Sequence, residues 1–177
     1  MGAARGRPAD SKEDPVAARS AVQPERCNGS ALRKATRRVS QLYDAALAPC
    51  GLRATQRSIL VHIARAGAPT MRALATALVL DPSALAHNLK PLERDGLVAV
   101  TVGPDDRRSR VARLTERGEA KLRESGSLWQ AAQDRFEQAF GADRAEALRA
   151  TLAIVASIDF GDAFEAAEPP PAKRPHP

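Results

Sequence analysis

The stretch DPSALAHNLKPLERDGLVAVTVGPDDRRSRVARLTERG, residues 81–118, decides the fold of this chain. Asp81 and Pro82 are residue types that favour the N-cap and the first helical position, so they predict the start of a helix. An Asp-Gly turn at 95–96 is followed by two short strands, which the charged loop GPDDRRS at 103–109 separates. A helix followed by a cationic hairpin suits DNA better than a small substrate.

The predicted helix has one apolar side and one polar side. Its leucines share the apolar side and are Leu85, Leu89 and Leu92. The opposite side carries Ser83, Ala86, His87, Lys90 and Arg94. The N-terminal half of the polar side can enter a major groove, where His87 and Lys90 can reach guanine acceptors and Ser83 a phosphate or base edge. Asn88 lies toward the packed side, where a role in capping or at the core edge competes with reading adenine.

A shorter helix is predicted just before this one. Thr70 is suited to cap it, and apolar residues such as Leu74 and Leu78 recur within it at helical spacing. Two helices joined by so tight a turn form a helix-turn-helix, which we place at about residues 70–95.

The hairpin, at about residues 97–114, is predicted to form a wing. Its loop carries Arg107 and Arg108 beside Asp105 and Asp106. An arginine on such a loop can enter the minor groove where that groove is narrow and its potential most negative. An acidic residue two positions away can hold the arginine through a charge-assisted pair. A solvated turn is the alternative explanation of the same residues.

Long amphipathic helices are predicted on both sides of this module, at about residues 30–48, 115–139 and 143–159. A further helix is expected to begin at a Thr55 cap. The apolar faces of the long helices exceed what a small winged domain buries, so we expect them to pack against a second copy in a homodimer.

Composition and charge fit one nucleic-acid-binding domain. The 177 residues are 44% hydrophobic but only 3% aromatic, which favours a mainly α fold with an aliphatic core. We expect that domain at residues 28–160, between disordered tails at 1–27 and 161–177. Residues 27–160 hold 20 basic and 14 acidic residues, so the whole net charge of +6 lies in the folded part. A basic solvated surface is the alternative explanation of this charge.

The run at 81–118, with its DxR pattern ending at Arg108 and with Gly118 near its end, resembles the winged helix-turn-helix of the MarR family of bacterial transcription regulators. The segment LYDAALAPCGLRATQRSIL at 42–60 and the helical pair after 115 also fall where that family has its dimerisation helices. The resemblance implies a mainly α fold with a small β-hairpin wing, flanked by N- and C-terminal dimerisation helices.

The resemblance also implies roles for single residues. Arg108 matches the wing arginine that enters the minor groove, and Asp106 matches the residue that orients it. The expected DNA contacts are Ser83, Ala84, His87, Lys90, Asp106, Arg107 and Arg108. Pro91 stands where many members have a basic residue. Because proline removes a backbone donor and clashes with the carbonyl of His87, we expect the helix to kink or loosen there.

A small-molecule site is implied in the crevice between the dimerisation helices and the reading module, commonly for aromatic or other anionic compounds. Chemically suitable lining residues are Tyr43, Arg57, His62 and Trp129. Packing or surface exposure is the alternative explanation for each of them.

The sequence argues against an enzyme. It has three histidines, His62, His87 and His176, and it lacks HxxxH, CxxC and Gly-rich phosphate-loop motifs. His62 sits inside a predicted helix, where a partly buried imidazole is a better explanation than a metal ligand. We expect no catalytic residues, cofactor or metal ion.

The two cysteines, Cys27 and Cys50, are too few for a disulfide framework. No apolar run reaches the roughly 20 residues of a membrane span, and residues 1–15 lack the apolar segment of a signal peptide. We therefore expect a cytoplasmic protein whose cysteines are thiols. Cys27 falls about two residues from the reactive thiol of peroxide-sensing MarR members, and a helix N-terminus favours thiolate oxidation. A redox pair of Cys27 and Cys50 is a second hypothesis, against an inert Cys27.

The sequence therefore predicts a homodimeric transcription regulator, a repressor that binds a pseudo-palindromic operator in double-stranded DNA and is released by a small-molecule effector. Three alternatives stay open. They are a thiol-based redox regulator, a winged-helix module that mediates protein contacts, and an architectural DNA binder without sequence preference.

Overall fold

The computed structural model describes residues 27–104, 106 and 108–167. Its helices and strands are α1 (Asn28–Leu47), α2 (Ala54–Ala66), α3 (Met71–Ala77), α4 (Pro82–Arg94), β1 (Val98–Val102), β2 (Arg110–Leu114), α5 (Glu116–Phe140), α6 (Ala142–Val155) and α7 (Ile158–Ala166). A 3-10 turn, Ala48–Cys50, links α1 and α2. The fold is mainly α with one antiparallel hairpin, which confirms the predicted winged helix-turn-helix class.

The chain divides into two compact units, residues 1–37 and 38–177. The described part of the first unit, residues 27–37, is the beginning of α1. The second unit holds the core, the helix-turn-helix and the hairpin.

The core of the second unit forms where α2, α3 and α4 meet the hairpin. Its large side chains at or below 2% exposure include Ile59, Leu60, Ile63, Leu74, Leu85, Leu89 and Leu92. The leucine side predicted for α4 is therefore confirmed as its packed side. Burial of each such side chain contributes roughly 1.5–3 kcal/mol, so α4 is firmly anchored beneath its polar side.

Side-chain caps determine where the two helices of the helix-turn-helix begin. The hydroxyl of Thr70 accepts a hydrogen bond from the amide of Ala73 at 3.1 Å. The carboxylate of Asp81 accepts from the amides of Ser83 and Ala84, each at 2.9 Å. Both caps were predicted from the sequence, because hydroxyl and carboxylate oxygens satisfy the free amides of a first helical turn.

The predicted Thr55 cap of α2 is wrong. The N-cap position is Arg53, two residues before Thr55, and the helix begins at Ala54, whose amide donates to the carboxylate of Asp44 at 2.7 Å. The side chain of Gln56 also accepts from the amide of Arg53 at 2.9 Å. A carboxylate ten residues upstream thus supplies the cap, which local sequence cannot reveal.

The turn between α3 and α4 contains a strained residue. Val79 has a φ of 52°, the one positive φ outside glycine among the described residues. A left-handed conformation costs an L-residue roughly 1–2 kcal/mol. The turn is nevertheless held by α3, because the amides of Val79 and Leu80 donate to the carbonyls of Thr76 and Ala75 at 3.1 and 2.9 Å.

The hairpin is an antiparallel pair in which Val98 faces Leu114 and Val102 faces Arg110. The sequence did not indicate a third extended segment beside β2. Thr70 forms a bridge with Val111, and the amide of Ala112 donates to the carbonyl of Pro69 at 3.0 Å. The start of α3 is thereby hydrogen-bonded to the wing.

The junction between the hairpin and α5 is closely packed at Gly118. The Thr115 hydroxyl donates to the carbonyl of Gly96 at 2.7 Å and accepts from the amide of Gly118 at 3.0 Å. A Cβ atom on Gly118 would lie 2.0 Å from the carbonyl oxygen of Leu97. Only glycine lets α5 lie directly against the base of the wing.

Helix α4 continues through Pro91 up to Arg94, and the expected kink or loosening at this turn stays a prediction. The amide of Asp95 still donates to the Pro91 carbonyl at 2.9 Å. Proline removes one bond, to the carbonyl of His87. His87 is exposed and lines a groove together with Pro91, so solvent can satisfy that carbonyl.

The C-terminal region also differs from expectation. In place of one helix at 143–159 and a disordered tail from 161, the chain forms α6, a break near Ser157, and α7 up to Ala166. The Ser157 hydroxyl caps α7 by accepting from the amide of Phe160 at 3.1 Å. Phe160 and Phe164 stack one turn apart, with ring centroids separated by 6.4 Å. These two local interactions favour a helix where composition alone suggested a disordered tail. Residues 168–177 of the predicted tail lie outside the described residues.

Candidate nucleic-acid interface and effector cavity

Helix α4 presents its predicted polar side to solvent. Ser83, His87 and Lys90 are exposed, whereas Ala84 is half-buried. The hydroxyl of Ser83 donates to the Asp81 carboxylate, so it is engaged in the cap and not free to donate to a phosphate. The bonds from the Ser83 hydroxyl, and then from the amide of Ala84, hold the pKa of Asp81 below its usual range. The cap is therefore ionised at neutral pH.

The wing loop is organised by the backbone around Asp106. The amide and hydroxyl of Ser109 both donate to the carbonyl of Asp106, at 3.0 and 2.8 Å. The amide of Gly103 donates to the carbonyl of Ser109 at 2.8 Å, which closes the loop. These bonds fix the tip of the hairpin.

The structure corrects how Asp106 acts on Arg108. Its carboxylate accepts from the backbone amide of Arg108 at 2.8 Å. Among the ion pairs of the described residues, none joins the two side chains. Asp106 therefore positions Arg108 through the backbone amide of Arg108. The side chain of Arg108 is exposed to solvent.

Two other arginines lie close to Arg108 in the sequence of the loop. The guanidinium of Arg110 folds back and donates to the carbonyl of Val100 at 3.2 Å. Arg107, an expected DNA contact, lies outside the described residues, as does Asp105. Of the two arginines of the loop that the structure describes, Arg108 is thus the one at the tip of the wing.

A groove of about 470 Å³ lies between the beginning of α2 and α4. Its polar lining residues include Arg53, Thr55, Gln56, His87, Asn88 and Arg94. Arg94 is bonded to Asp95 at 2.9 Å, while Arg53 is exposed. Arg53 was not among the predicted DNA contacts, although a cation directly before the start of a helix that lies beside a reading helix was a usable signal.

A larger cavity, of about 580 Å³, lies between α1, α2 and α5. Three of the four suggested effector residues line it, namely Tyr43, Arg57 and Trp129. His62 does not line it, because the imidazole Nδ1 lies 2.8 Å from the carbonyl oxygen of Ser58 in the preceding turn of its own helix. Three of the suggested residues therefore lie together at one cavity, and the effector role of the set stays a prediction.

Arg57 is fixed inside this cavity. Its Nε donates to the hydroxyl of Ser125 at 3.1 Å, and its guanidinium carbon lies 4.6 Å from the centroid of the Trp129 ring. Ser125 is 0% exposed and donates in turn to the carbonyl of Leu122 at 2.7 Å. A serine in the middle of a helix carried no signal for this role in the sequence.

No carboxylate neutralises Arg57 in the described part of the chain. Burial lowers the pKa of its guanidinium from an ordinary value far above neutrality, so the group stays cationic. A half-buried cation without a counter-ion is costly, and an anionic ligand with bidentate geometry would compensate it. The cavity is chemically suited to an anion.

Tyr43 adds an aromatic wall to the same cavity. Its ring centroid lies 6.5 Å from that of Phe136. Burial raises the pKa of the Tyr43 phenol above its usual value, so the hydroxyl remains protonated and can donate a hydrogen bond at neutral pH.

The two cysteines are in different environments. Cys27 is exposed at the start of α1, where its carbonyl accepts from the amide of Ala31 at 3.0 Å. Cys50 is 4% exposed, and its thiol donates to the carbonyl of Leu47 at 3.0 Å. Buried thiols are typically inert, so Cys50 is a core residue, and the redox role of Cys27 stays a prediction.

Comparisons with known proteins bear on the whole domain. The sequence model of the MarR family matches residues 52–109. The transcriptional repressor CouR, in a structure with a 23-mer DNA duplex, is 31% identical with a TM-score of 0.68, over 74% of this chain and 93% of CouR. The regulator MosR of M. tuberculosis, in complex with DNA, is 34% identical with a TM-score of 0.67, over 79% and 97% of the two chains. The chain belongs to the MarR family.

As a MarR-family member, the protein is a DNA-binding transcription regulator and not an enzyme. A further similar structure is CouR from Rhodococcus jostii RHA1 bound to p-coumaroyl-CoA, 27% identical with a TM-score of 0.63, over 73% of this chain and 91% of that one. No curated protein matches the sequence.

The described residues of this MarR-family chain lack two further features. Within those ranges, none of the helices combines the length and apolar character needed to cross a membrane. In the same part of the chain, His, Cys, Asp and Glu side chains nowhere gather in a group of three or more that could hold a metal ion.

Proposed function

We propose that this MarR-family protein is a homodimeric repressor that binds a pseudo-palindromic operator and releases it when a small anionic effector binds. The DNA-binding part of this proposal is supported by one observation, that α4 has a buried apolar side and an exposed polar side. Leu85 and Leu89 are at or below 1% exposure, while His87 and Lys90 are exposed on the other side. A helix anchored in this way can present polar side chains to a major groove without losing its own packing.

We assign individual DNA contacts as part of this proposal. His87 and Lys90 are assigned to base edges, and Arg108 is assigned to the minor groove beside them. Arg53, across the groove from His87, is assigned to a backbone phosphate. Arg107 is retained as a DNA contact from the sequence alone.

Exposed apolar side chains on the outer helices support the homodimer. Leu42 of α1 is 56% exposed, Ile154 of α6 is 65%, and Ile158 and Phe164 of α7 are 70% and 74%. Apolar surface of this extent is unusual on a monomer, and a second copy would cover it. Two recognition helices related by a two-fold axis would then sit roughly 34 Å apart, one turn of DNA.

The cavity at Arg57 supports the effector part of the proposal. An anionic aromatic compound could pair with the guanidinium and pack on Tyr43 and Trp129. The similar regulator CouR is bound to p-coumaroyl-CoA in one structure and to DNA in another. If effector and operator prefer different arrangements of the dimer, each must weaken the binding of the other by the same factor.

The test begins with selection of the preferred duplex from a random pool, followed by titration of the full chain at fixed salt. We expect a two-fold-symmetric consensus bound by two chains, and we expect p-coumaroyl-CoA, used as a probe anion, to weaken that binding. A consensus without symmetry, or a stoichiometry of one chain per site, would overturn the dimeric operator. Selection that yields no consensus would favour the architectural binder.

A further inference from the structure

A second cavity continues the one at Arg57 toward the wing. It encloses about 400 Å³ and is lined from α2, β2 and α5. Ala64 and Leu122 line both cavities, so the two cavities adjoin. We call the two adjoining cavities together the α2 groove.

The floor of the α2 groove is the face of α2 that carries small side chains. The exposed Arg65 also lines this cavity, and the small side chains are Ala54, which precedes Arg57, and Ser58, Val61 and Ala64, which follow it. Their spacing of three or four residues keeps them on one side of the helix. Side chains of this size leave room for an extended chain of atoms lying along the helix axis.

Cations stand at both ends of this floor. Arg57 lies at the aromatic end, and Arg113 of β2 lines the far end beyond Gly67. At a rise of about 1.5 Å per residue, the ten residues from 57 to 67 span about 15 Å. The far end also contains Arg123, which lies 3.8 Å from Glu119, whereas none of the ion pairs between described residues includes Arg113. Arg57 and Arg113 thus mark the two ends of the groove, and the exposed Arg65 adds positive charge between them.

We propose that the α2 groove takes an elongated ligand with an apolar middle and an anionic group at each end, held by Arg57 at one end and Arg113 at the other. This inference rests on the effector cavity proposed above. It adds that the ligand is a dianion and that its second end contacts β2 of the wing directly. An effector bound in this way would bridge α5, α2 and the wing, and so could bias the position of the wing against DNA.

The test is direct binding in the absence of DNA, measured by calorimetry on the full chain. The probes are tetradecanedioate, which has a carboxylate at both ends, tetradecanoate, which has one, and hexanedioate, which has both but is too short to span the groove. Variants Arg57→Met and Arg113→Met remove one cation each. Arg117→Met is the matched control, because Arg117 is an exposed arginine of α5 that lines neither cavity.

We expect tetradecanedioate to bind at least about tenfold more tightly than either other probe, the size expected for one added charge-assisted bond. Arg113→Met should remove that advantage and leave tetradecanoate binding unchanged. Arg57→Met should weaken both long-chain probes, and Arg117→Met should change neither.

Equal affinity for the one-ended and two-ended long probes, or an Arg113→Met variant that behaves like Arg117→Met, would overturn the inference. If tetradecanoate then still binds in an Arg57-dependent manner, the effector cavity stands and only the two-ended ligand is wrong. If no probe binds while the operator is still bound, the dianion inference fails and DNA reading by α4 is unaffected.

Discussion

A methyl group added at two glycines of α5 should have opposite effects on stability. Gly118 faces the hairpin, and a Cβ atom there would lie 2.0 Å from the carbonyl oxygen of Leu97 and 3.0 Å from its carbonyl carbon. Gly126 lies eight residues further along the same helix, and a Cβ atom there would meet nothing within 4 Å. Gly118→Ala and Gly126→Ala are therefore a matched pair with the same change in chemistry.

The magnitude follows from three contributions at Gly118. Relief of the 2.0 Å contact requires α5 and the hairpin to separate by about 1 Å, and overpacking of this kind costs up to about 3 kcal/mol. The same shift strains the bonds from Gly118 to Thr115 and from Thr115 to Leu97, at about 1 kcal/mol each. The better helix propensity of alanine returns about 1 kcal/mol. We expect Gly118→Ala to lower the free energy of unfolding by about 2–4 kcal/mol.

For Gly126→Ala only the propensity contribution remains, so we expect a gain of up to about 1 kcal/mol. Urea unfolding followed by circular dichroism, at one fixed protomer concentration because dimerisation contributes to stability, measures both variants. Equal and favourable effects at the two positions would refute the close packing of α5 on the wing.

Four further predictions concern the reading module. Val79→Asn should raise the free energy of unfolding by about 1 kcal/mol, because asparagine tolerates the left-handed conformation better than a β-branched residue; a loss of stability in urea titrations would contradict the strained turn. Arg108→Ala should weaken operator binding by about 1–3 kcal/mol and flatten its salt dependence, and unchanged salt slopes would exclude the wing contact. His87→Ala should change the base preferred at one or two positions of each half-site; a repeated selection that returned the original consensus would remove His87 from base reading. The pKa of Asp81 is lower in the folded state than in the unfolded state, so its stabilisation is present above the unfolded pKa and is lost as the pH falls through the folded one. Asp81→Asn keeps a capping oxygen and should make the free energy of unfolding less dependent on pH below about 4. The same pH dependence of the free energy of unfolding in the variant and the unmodified protein would disprove this.

The reading module could be predicted because its signals are local. The Asp81 cap and the leucine spacing of α4 each depend on residues within one or two turns of the chain, and the structure has both as predicted. The same locality explains the error at the end of α6, where the Ser157 cap and one pair of phenylalanines outweighed a composition typical of a tail.

The residues that the sequence did not reveal act over long separations. Ser125 binds Arg57 across 68 positions, and Asp44 caps α2 from ten residues upstream. The sequence suggested a bond from Asp106 to the side chain of Arg108, whereas the Asp106 carboxylate accepts from the backbone amide of Arg108. Which of the two groups a carboxylate meets depends on loop geometry. Partnerships of this kind become visible only when the elements are placed in space.

Competition binding tests the central claim, that α4 and the wing read a specific DNA sequence, most directly. Fluorescence anisotropy of the full chain on its selected duplex is measured at physiological salt, with the selected duplex or random duplex as unlabelled competitor. We expect the selected duplex to compete at least about 10³-fold better than random DNA. Equal competition by the two duplexes would contradict it.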